Sequence, residues 1–306
     1  MNKITIVGAG RVGESTAHNL AKHELCREVM LIDIQDGVPQ GAALDIQESA
    51  PQFGFDTKLN GSNDINDMAG SDLVINTAGI PRKPGMSRSD VLDINLKIVY
   101  DICDTMKQAA PDAMFLVVSN PVDILTYAAY KHLGWDRNRV FGMAGVLDSS
   151  RMASFVAMET GLSVKDITAM VLGGHGDTMV PMTRFTCVNG ISIAHFLDQA
   201  TLDRIIKRTR EGGAEILALK KTSSAYDAPA AAVASMVSAM SHNRKRVLPT
   251  VAVLDGEYGQ KDMCMGVPAV LGEAGMEKVI DLELKGDEQQ MFDESVKAIR
   301  NDLDRL

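Results

Sequence analysis

The chain has 306 residues, 45% of them hydrophobic and 23% charged, a balance that excludes a disordered or fibrous chain and allows two subdomains or one large α/β unit. With 31 basic against 40 acidic residues the formal net charge is −9, which argues against nucleic acid or an anionic membrane as partner because both select for basic faces. The four cysteines, Cys26, Cys103, Cys187 and Cys264, stand far apart with no CxxC pair and no neighbouring histidine at metal spacing, so no metal site is expected and a reduced, cytoplasmic compartment is.

The N-terminus shows none of the basic, hydrophobic and small-residue regions of a secretory signal. From there, short β-branched runs at 4–7, 29–32, 73–76, 115–118 and 140–142 read as strands, and the stretches 12–23, 37–49, 90–109 and 122–132 carry apolar residues at helical spacing. Such alternation predicts a parallel sheet with helices on both faces. After about residue 147 the pattern changes. A helix over 148–160 is followed by a hairpin in which Asn189-Gly190 joins 184–188 to 191–193. Two long helices over 201–220 and 228–242 come next, then a strand over 247–254 that turns at Asp255-Gly256, further strands near 263–271 and a charged terminal helix from about Glu288. The alanine-rich stretch 228–240 falls short of the roughly 20 residues that span a bilayer and reads as a buried helix.

The strand at 4–7 runs directly into Gly8-Ala9-Gly10-Arg11-Val12-Gly13, which opens a helix, and Asp33 ends the next strand 20 residues after the last glycine. Gly8 permits a tight turn, Gly10 lets the backbone approach a pyrophosphate, Gly13 allows helix and strand to pack closely, and the helix N-terminus offers free N–H groups to the anion. Asp33 is placed to accept hydrogen bonds from ribose hydroxyls and to repel a 2′-phosphate, and Ile34-Gln35 after it supply no arginine for one. A glycine turn by itself is commonly structural; with strand, helix and acid in register, residues 8–13 read as an NAD-binding loop. The fold class is therefore α/β: a Rossmann-type doubly wound sheet over 1–146, followed by a mixed α+β substrate and catalytic domain over 147–306.

Oxidation of an alcohol by NAD needs a base whose pKa lies near operating pH, and histidine is the natural choice. Of the six histidines only His175 is flanked by glycines, in the run Gly173-Gly174-His175-Gly176-Asp177, a loop where backbone can approach a ligand. Asp148 and Arg151 stand three apart on one helix face: Asp148 suits orientation of an imidazole, and Arg151 suits a bidentate grip on a carboxylate, with a surface ion pair as the plainer alternative. The segment 79–88, Gly-Ile-Pro-Arg-Lys-Pro-Gly-Met-Ser-Arg, leaves a strand at the sheet's carboxyl edge. It reads as a lid that brings Arg82 and Arg88 to an anionic substrate, against the alternative of a solvated basic loop. Val118-Ser119-Asn120-Pro121 ends another strand at that edge, so Val118, Ser119 and Asn120 are candidate cofactor contacts, Asn120 also for the substrate oxygen; a plain Asn-Pro turn is its rival. Asn95, in the helix after the lid, faces either the cofactor or solvent.

Taken together, GAGRVG, Asp33, IPRKPGMSR, VSNPVD, LDSSR and GGHGD resemble the lactate/malate dehydrogenase family over essentially the whole chain, and most closely its lactate-dehydrogenase-like malate dehydrogenases. The resemblance implies that His175 is the proton acceptor and Asp148 its partner. It makes Arg82 and Arg151 clamps on a small dicarboxylate, Arg88 a lid arginine and Asn120 a contact to substrate and cofactor. It also implies a cytoplasmic homodimer or homotetramer. Lactate dehydrogenases usually carry a neutral glutamine at the position of Arg82, and an arginine buried opposite a methyl group would be left unpaired. Malate and oxaloacetate are thus expected over lactate and pyruvate. L-lactate dehydrogenase is the rival within the family, and a non-catalytic NAD-binding redox sensor the rival outside it.

Overall fold

The computed structural model describes residues 1–80 and 88–306, with only the backbone of residues 88 and 89. The expected lid, Arg82 with it, and the side chain of Arg88 therefore lie outside the described residues.

The first half runs β1 (Lys3–Val7), α1 (Arg11–Lys22), β2 (Glu28–Ile32), α2 (Val38–Glu48), α3 (Ala50–Phe53), β3 (Lys58–Ser62), β4 (Leu73–Asn76), α4 (Arg88–Ala109), β5 (Met114–Val117), α5 (Val122–Leu133) and β6 (Val140–Gly142). In α1 the buried residues Gly13, Thr16, Ala17, Leu20 and Ala21 recur at the three- and four-residue spacing of one helix face. Strands β4 and β5 are buried at every position, so they read as continuous apolar runs rather than as alternation.

The second half runs α6 (Gly145–Thr160), β7 (Ile167–Thr168), β8 (Val171–Leu172), β9 (Val180–Pro181), β10 (Cys187–Val188), β11 (Ile191–Ser192), α7 (Gln199–Lys220), α8 (Asp227–Ser241), β12 (Arg246–Asp255), β13 (Lys261–Gly272), β14 (Gly275–Val279) and α9 (Asp287–Leu303). The alanine-rich α8 buries most of its length, as expected. Among the described residues no helix is long and apolar enough to cross a membrane.

Six strands pair in parallel in the order β3-β2-β1-β4-β5-β6. Right-handed crossovers then put the helices that follow β1 and β2 on one face and those that follow β4 and β5 on the other, with the direction reversing between β1 and β4. Strand β12 joins β6 antiparallel through Val251 and Gly142, and β13 and β14 extend the same sheet to nine strands. One continuous cluster of buried side chains runs from Ile4 through Phe141 to Ile299; each fully buried aliphatic or aromatic member contributes about 1.5–3 kcal/mol relative to exposure.

Three details differ from the sequence reading. Strand β3, KLNGS, carries little apolar signal because it is the sheet's edge and is half exposed. The hairpin arm expected over 184–188 is shorter, Cys187–Val188, because Thr183–Phe185 closes into one 3-10 turn. Beyond β13 lies β14, reached through a turn at residues 272–275.

Candidate active site

The sheet reverses direction at the carboxyl ends of β1 and β4, and there the chain is tied tightly. Thr77 Oγ1 donates to the Gly8 carbonyl at 2.8 Å, and Ser119 Oγ donates to the Ala78 carbonyl at 2.6 Å. Gly8 has φ +101°, and a Cβ there would meet the Ala78 nitrogen at 2.6 Å; a Cβ on Gly13 would stand 1.9 Å from the Gly8 carbonyl oxygen. Gly10 differs, since nothing lies within 4 Å of the place where its Cβ would be. It faces a groove of about 310 Å³.

That groove brings together Gly10, Arg11, Val12 and Gly13 with Asn95, Val118, Ser119 and Asn120. Asp33 is not in its wall; it accepts the N–H of Ala9, next to Gly10, at 2.8 Å and the Gln35 N–H at 2.9 Å. Asn95 lines the groove with its amide already engaged. It is 2% exposed, its Oδ1 accepts the Ile80 N–H at 2.8 Å and its Nδ2 donates to the Asn120 carbonyl at 2.8 Å. The residue thus ties the segment that follows β4 to the one that carries Asn120. Gly79 and Ile80 line it as well, and the sequence reading missed four more lining residues, Thr77, Ser223, Ser224 and Tyr226. The last three arrive from the α7–α8 junction, where Lys220 Nζ and Arg11 Cζ lie over the Tyr226 ring, 3.6 Å and 5.5 Å from its centroid.

A larger surface cleft, about 680 Å³, is lined by residues 1–3, 24–28, 56–58 and 241–242. It lies at the amino ends of β1, β2 and β3, the edge opposite to the one at which open α/β sheets bind ligands.

His175 lies in the loop after β8. Its Nδ1 is 2.9 Å from Asp148 Oδ2, and Arg151 Nη1 donates to Asp148 Oδ1 at 3.1 Å. With side-chain exposures of 2% for Asp148 and 11% for Arg151, this is not a solvated surface pair. Nδ1–H donating to a carboxylate leaves Nε2 of a neutral ring as the lone-pair nitrogen, able to take up a proton. Burial works against a charged imidazole, yet the charge of Asp148, its hydrogen bond and the charge of Asp123 together raise the pKa of His175 above its ordinary value. Arg151 keeps Nη2 and Nε; among the described residues the buried Nε has no partner, which suits an incoming anion.

Asp123 is a further functional candidate that the sequence reading missed. It lies in the first turn of α5, two residues after the cis Asn120-Pro121 peptide, and its Oδ2 accepts the His175 backbone N–H at 2.8 Å. The His175 loop is thereby pinned to the helix that begins beside Asn120.

The chain as a whole has counterparts among known proteins. Residues 2–142 match the family model for the lactate/malate dehydrogenase NAD binding domain, and residues 145–306 match the model for the alpha/beta C-terminal domain of the same family. A malate dehydrogenase of Thioalkalivibrio sulfidiphilus is 63% identical over 306 residues, 100% of both chains. Among solved structures, the malate dehydrogenase of Salinibacter ruber superposes with a TM-score of 0.94 at 44% identity, over 99% of this chain and 96% of that one. A lactate dehydrogenase of Cryptosporidium parvum, complexed with lactic acid and the dinucleotide, gives 0.95 at 38%, over 99% and 97%. Shape alone thus does not separate the two substrates, but motif, fold and whole-length identity converge: the chain belongs to the lactate/malate dehydrogenase family.

Proposed function

We propose that the chain is an NAD-dependent malate dehydrogenase, interconverting (S)-malate and oxaloacetate with His175 as its acid–base group. The observation that carries this reading is the buried Asp148 carboxylate, bonded on one oxygen to His175 Nδ1 and on the other to Arg151. The chain's 63% identity to a named malate dehydrogenase supports it.

The groove fits NAD. Gly10 leaves open space for backbone to approach phosphate and Gly13 lets α1 start against β1, while the Asp33 carboxylate is assigned by sequence to the ribose hydroxyls. Residues 8–13, Asp33, Asn95 and 118–120 would hold the cofactor, the Asn95 amide through the two loops it ties together. When bound, NAD supplies the nicotinamide C4 that accepts the hydride. Arg151 binds the C1 carboxylate and sets C2 toward the imidazole. His175 Nε2 takes the C2 hydroxyl proton as the C2–H bond breaks, and Asp148 holds the resulting imidazolium. Reduction of oxaloacetate starts from the protonated ring and returns that proton to the C2 oxygen. Arg82, Arg88 and Asn120 are assigned by sequence to the second carboxylate, the lid and the C2 oxygen. On the same reading the unit over 1–146 binds NAD, the unit over 147–306 supplies His175, Asp148 and Arg151, and the enzyme works in the cytoplasm as a homodimer or homotetramer.

NADH oxidation measured with oxaloacetate, with pyruvate and without substrate tests the assignment. Oxaloacetate should be strongly preferred, Arg82→Gln should move the ratio of kcat/KM values toward pyruvate, and His175→Asn should lower turnover by about 10²–10⁴-fold with NADH binding nearly intact. Preference for pyruvate would make the chain a lactate dehydrogenase. Activity with neither acid would leave the sensor reading.

A further inference from the structure

The loop that presents His175 is held at three successive residues by three different elements. Gly173, at φ +87°, exchanges backbone bonds with Gly266 of β13 at 2.8 and 3.1 Å. The Gly174 N–H donates to Ser295 Oγ of α9 at 2.8 Å, and the His175 N–H donates to Asp123 Oδ2 of α5 at 2.8 Å. The first two anchors use neutral groups. The third uses a carboxylate that is 6% exposed and whose other oxygen, Oδ1, has no partner among the described residues.

An acid in a helix's first turn ordinarily answers the helix's own free N–H groups or water. This one also reaches across 52 positions to the backbone N–H of another loop, and is itself buried. If the requirement were only an acceptor for one N–H, asparagine would meet it without a buried charge. The charge therefore calls for a function, and the positive group that forms beside it is the His175 imidazolium.

We propose that Asp123 is a positioning residue of the acid–base step, seating the His175 loop through its amide and acting with Asp148 as a second carboxylate that favours the charged ring over the neutral one. This rests on the reading of His175 as the proton acceptor. Among the described residues, the charged and titratable groups acting on the pair are Asp148 and Arg151 from α6 and Cys264 from β13. Burial pushes the Cys264 thiol well above its usual range, so it stays neutral, and α9 presents the neutral Ser295 hydroxyl. Burial, with the Asp148 charge adding to it, pushes the Asp123 carboxyl up to about 6 against the pull of His175. Carboxyl and imidazole then titrate in neighbouring ranges and as a coupled pair. As pH falls through about 6, Asp123 takes up a proton and its support for the imidazolium is lost.

The test compares Asp123→Asn, which keeps an acceptor for the His175 N–H and lacks the charge, with Asp123→Ala, which lacks both. For malate oxidation, the acid limb of kcat/KM should move about one pH unit lower in Asp123→Asn, with NADH affinity within about twofold of wild type, a margin of under half a kcal/mol. Asp123→Ala should show the same displacement and a further fall in kcat of about tenfold as the loop loosens. An unmoved limb in Asp123→Asn assigns Asp123 a merely structural role and overturns the proposal. A measurement on the unaltered protein decides the case if the variants do not fold. With ¹³C-labelled histidine, the His175 ring resonance should show a second inflection near pH 6, and a single-step titration would refute the coupling. His175→Asn separates the two readings: normal turnover there removes the base assignment itself, whereas lost turnover with an unmoved Asp123→Asn limb removes Asp123 alone.

Discussion

Asp148 has two carboxylate oxygens and both are occupied, Oδ2 by His175 Nδ1 at 2.9 Å and Oδ1 by Arg151 Nη1 at 3.1 Å. One side chain thereby sets the tautomer of the ring and the orientation of the guanidinium. The pKa of His175 is raised, burial opposing and the Asp148 and Asp123 charges prevailing, and the sign of the pH dependence follows. On the proposed mechanism malate oxidation uses the neutral ring, so its kcat/KM should fall as pH drops through a value above the ordinary histidine pKa of about 6.5. Oxaloacetate reduction uses the protonated ring and should fall as pH climbs through that same value. pH profiles in the two directions check this, and a shared midpoint below about 6.5 would contradict the raised pKa. The same shift makes a contribution to folding stability that is full below about pH 6.5 and fades as pH rises through the folded-state value. At this scale His175, Asp148 and Arg151 were legible because histidine between glycines and an acid three before an arginine are visible as residue types. Asp123 was not, since an acid at a helix start has an ordinary explanation that only its long-range partner displaces.

Among the elements, the β1–α1 turn makes a sharp distinction between its glycines. A Cβ on Gly13 would stand 1.9 Å from the Gly8 carbonyl oxygen, whereas a Cβ on Gly10 meets nothing within 4 Å. Gly13→Ala should therefore force α1 away from β1 and destabilise the fold by about 1–3 kcal/mol. Gly10→Ala should keep the thermal midpoint and weaken NADH binding, because its methyl group points into the groove. Thermal melts paired with NADH titrations check the contrast, and equal losses of stability in both variants would contradict it. Strands buried on both faces, such as β4 and β5, were readable from their apolar runs. The edge strand β3 was not, because its half-exposed polar residues share the composition of a loop. The shortened hairpin arm reflects local backbone bonding at Thr183–Phe185 that hydrophobic pattern does not encode.

Over the whole molecule, the nine-stranded sheet crosses from the parallel first half into the antiparallel second half at β6 and β12, and one buried cluster spans both. Ligand binding to the first half should therefore stabilise the second. NADH at about 100 times its Kd should raise unfolding free energy by about 2.7 kcal/mol in one transition seen alike by all probes; a second transition insensitive to NADH would show that the halves unfold independently. The sequence by itself determined the glycine loop with its acid and the alternation that makes a parallel sheet, and it singled out the residues proposed for the acid–base step, because each depends on residue type at short spacing. Only the tertiary structure decided that Asn95 ties two loops, that Tyr226 closes the groove from 213 residues beyond Gly13, and that Asp123 sits against His175. Those are contacts between elements remote in sequence, set by how sheet, helices and loops pack, and no local pattern carries them.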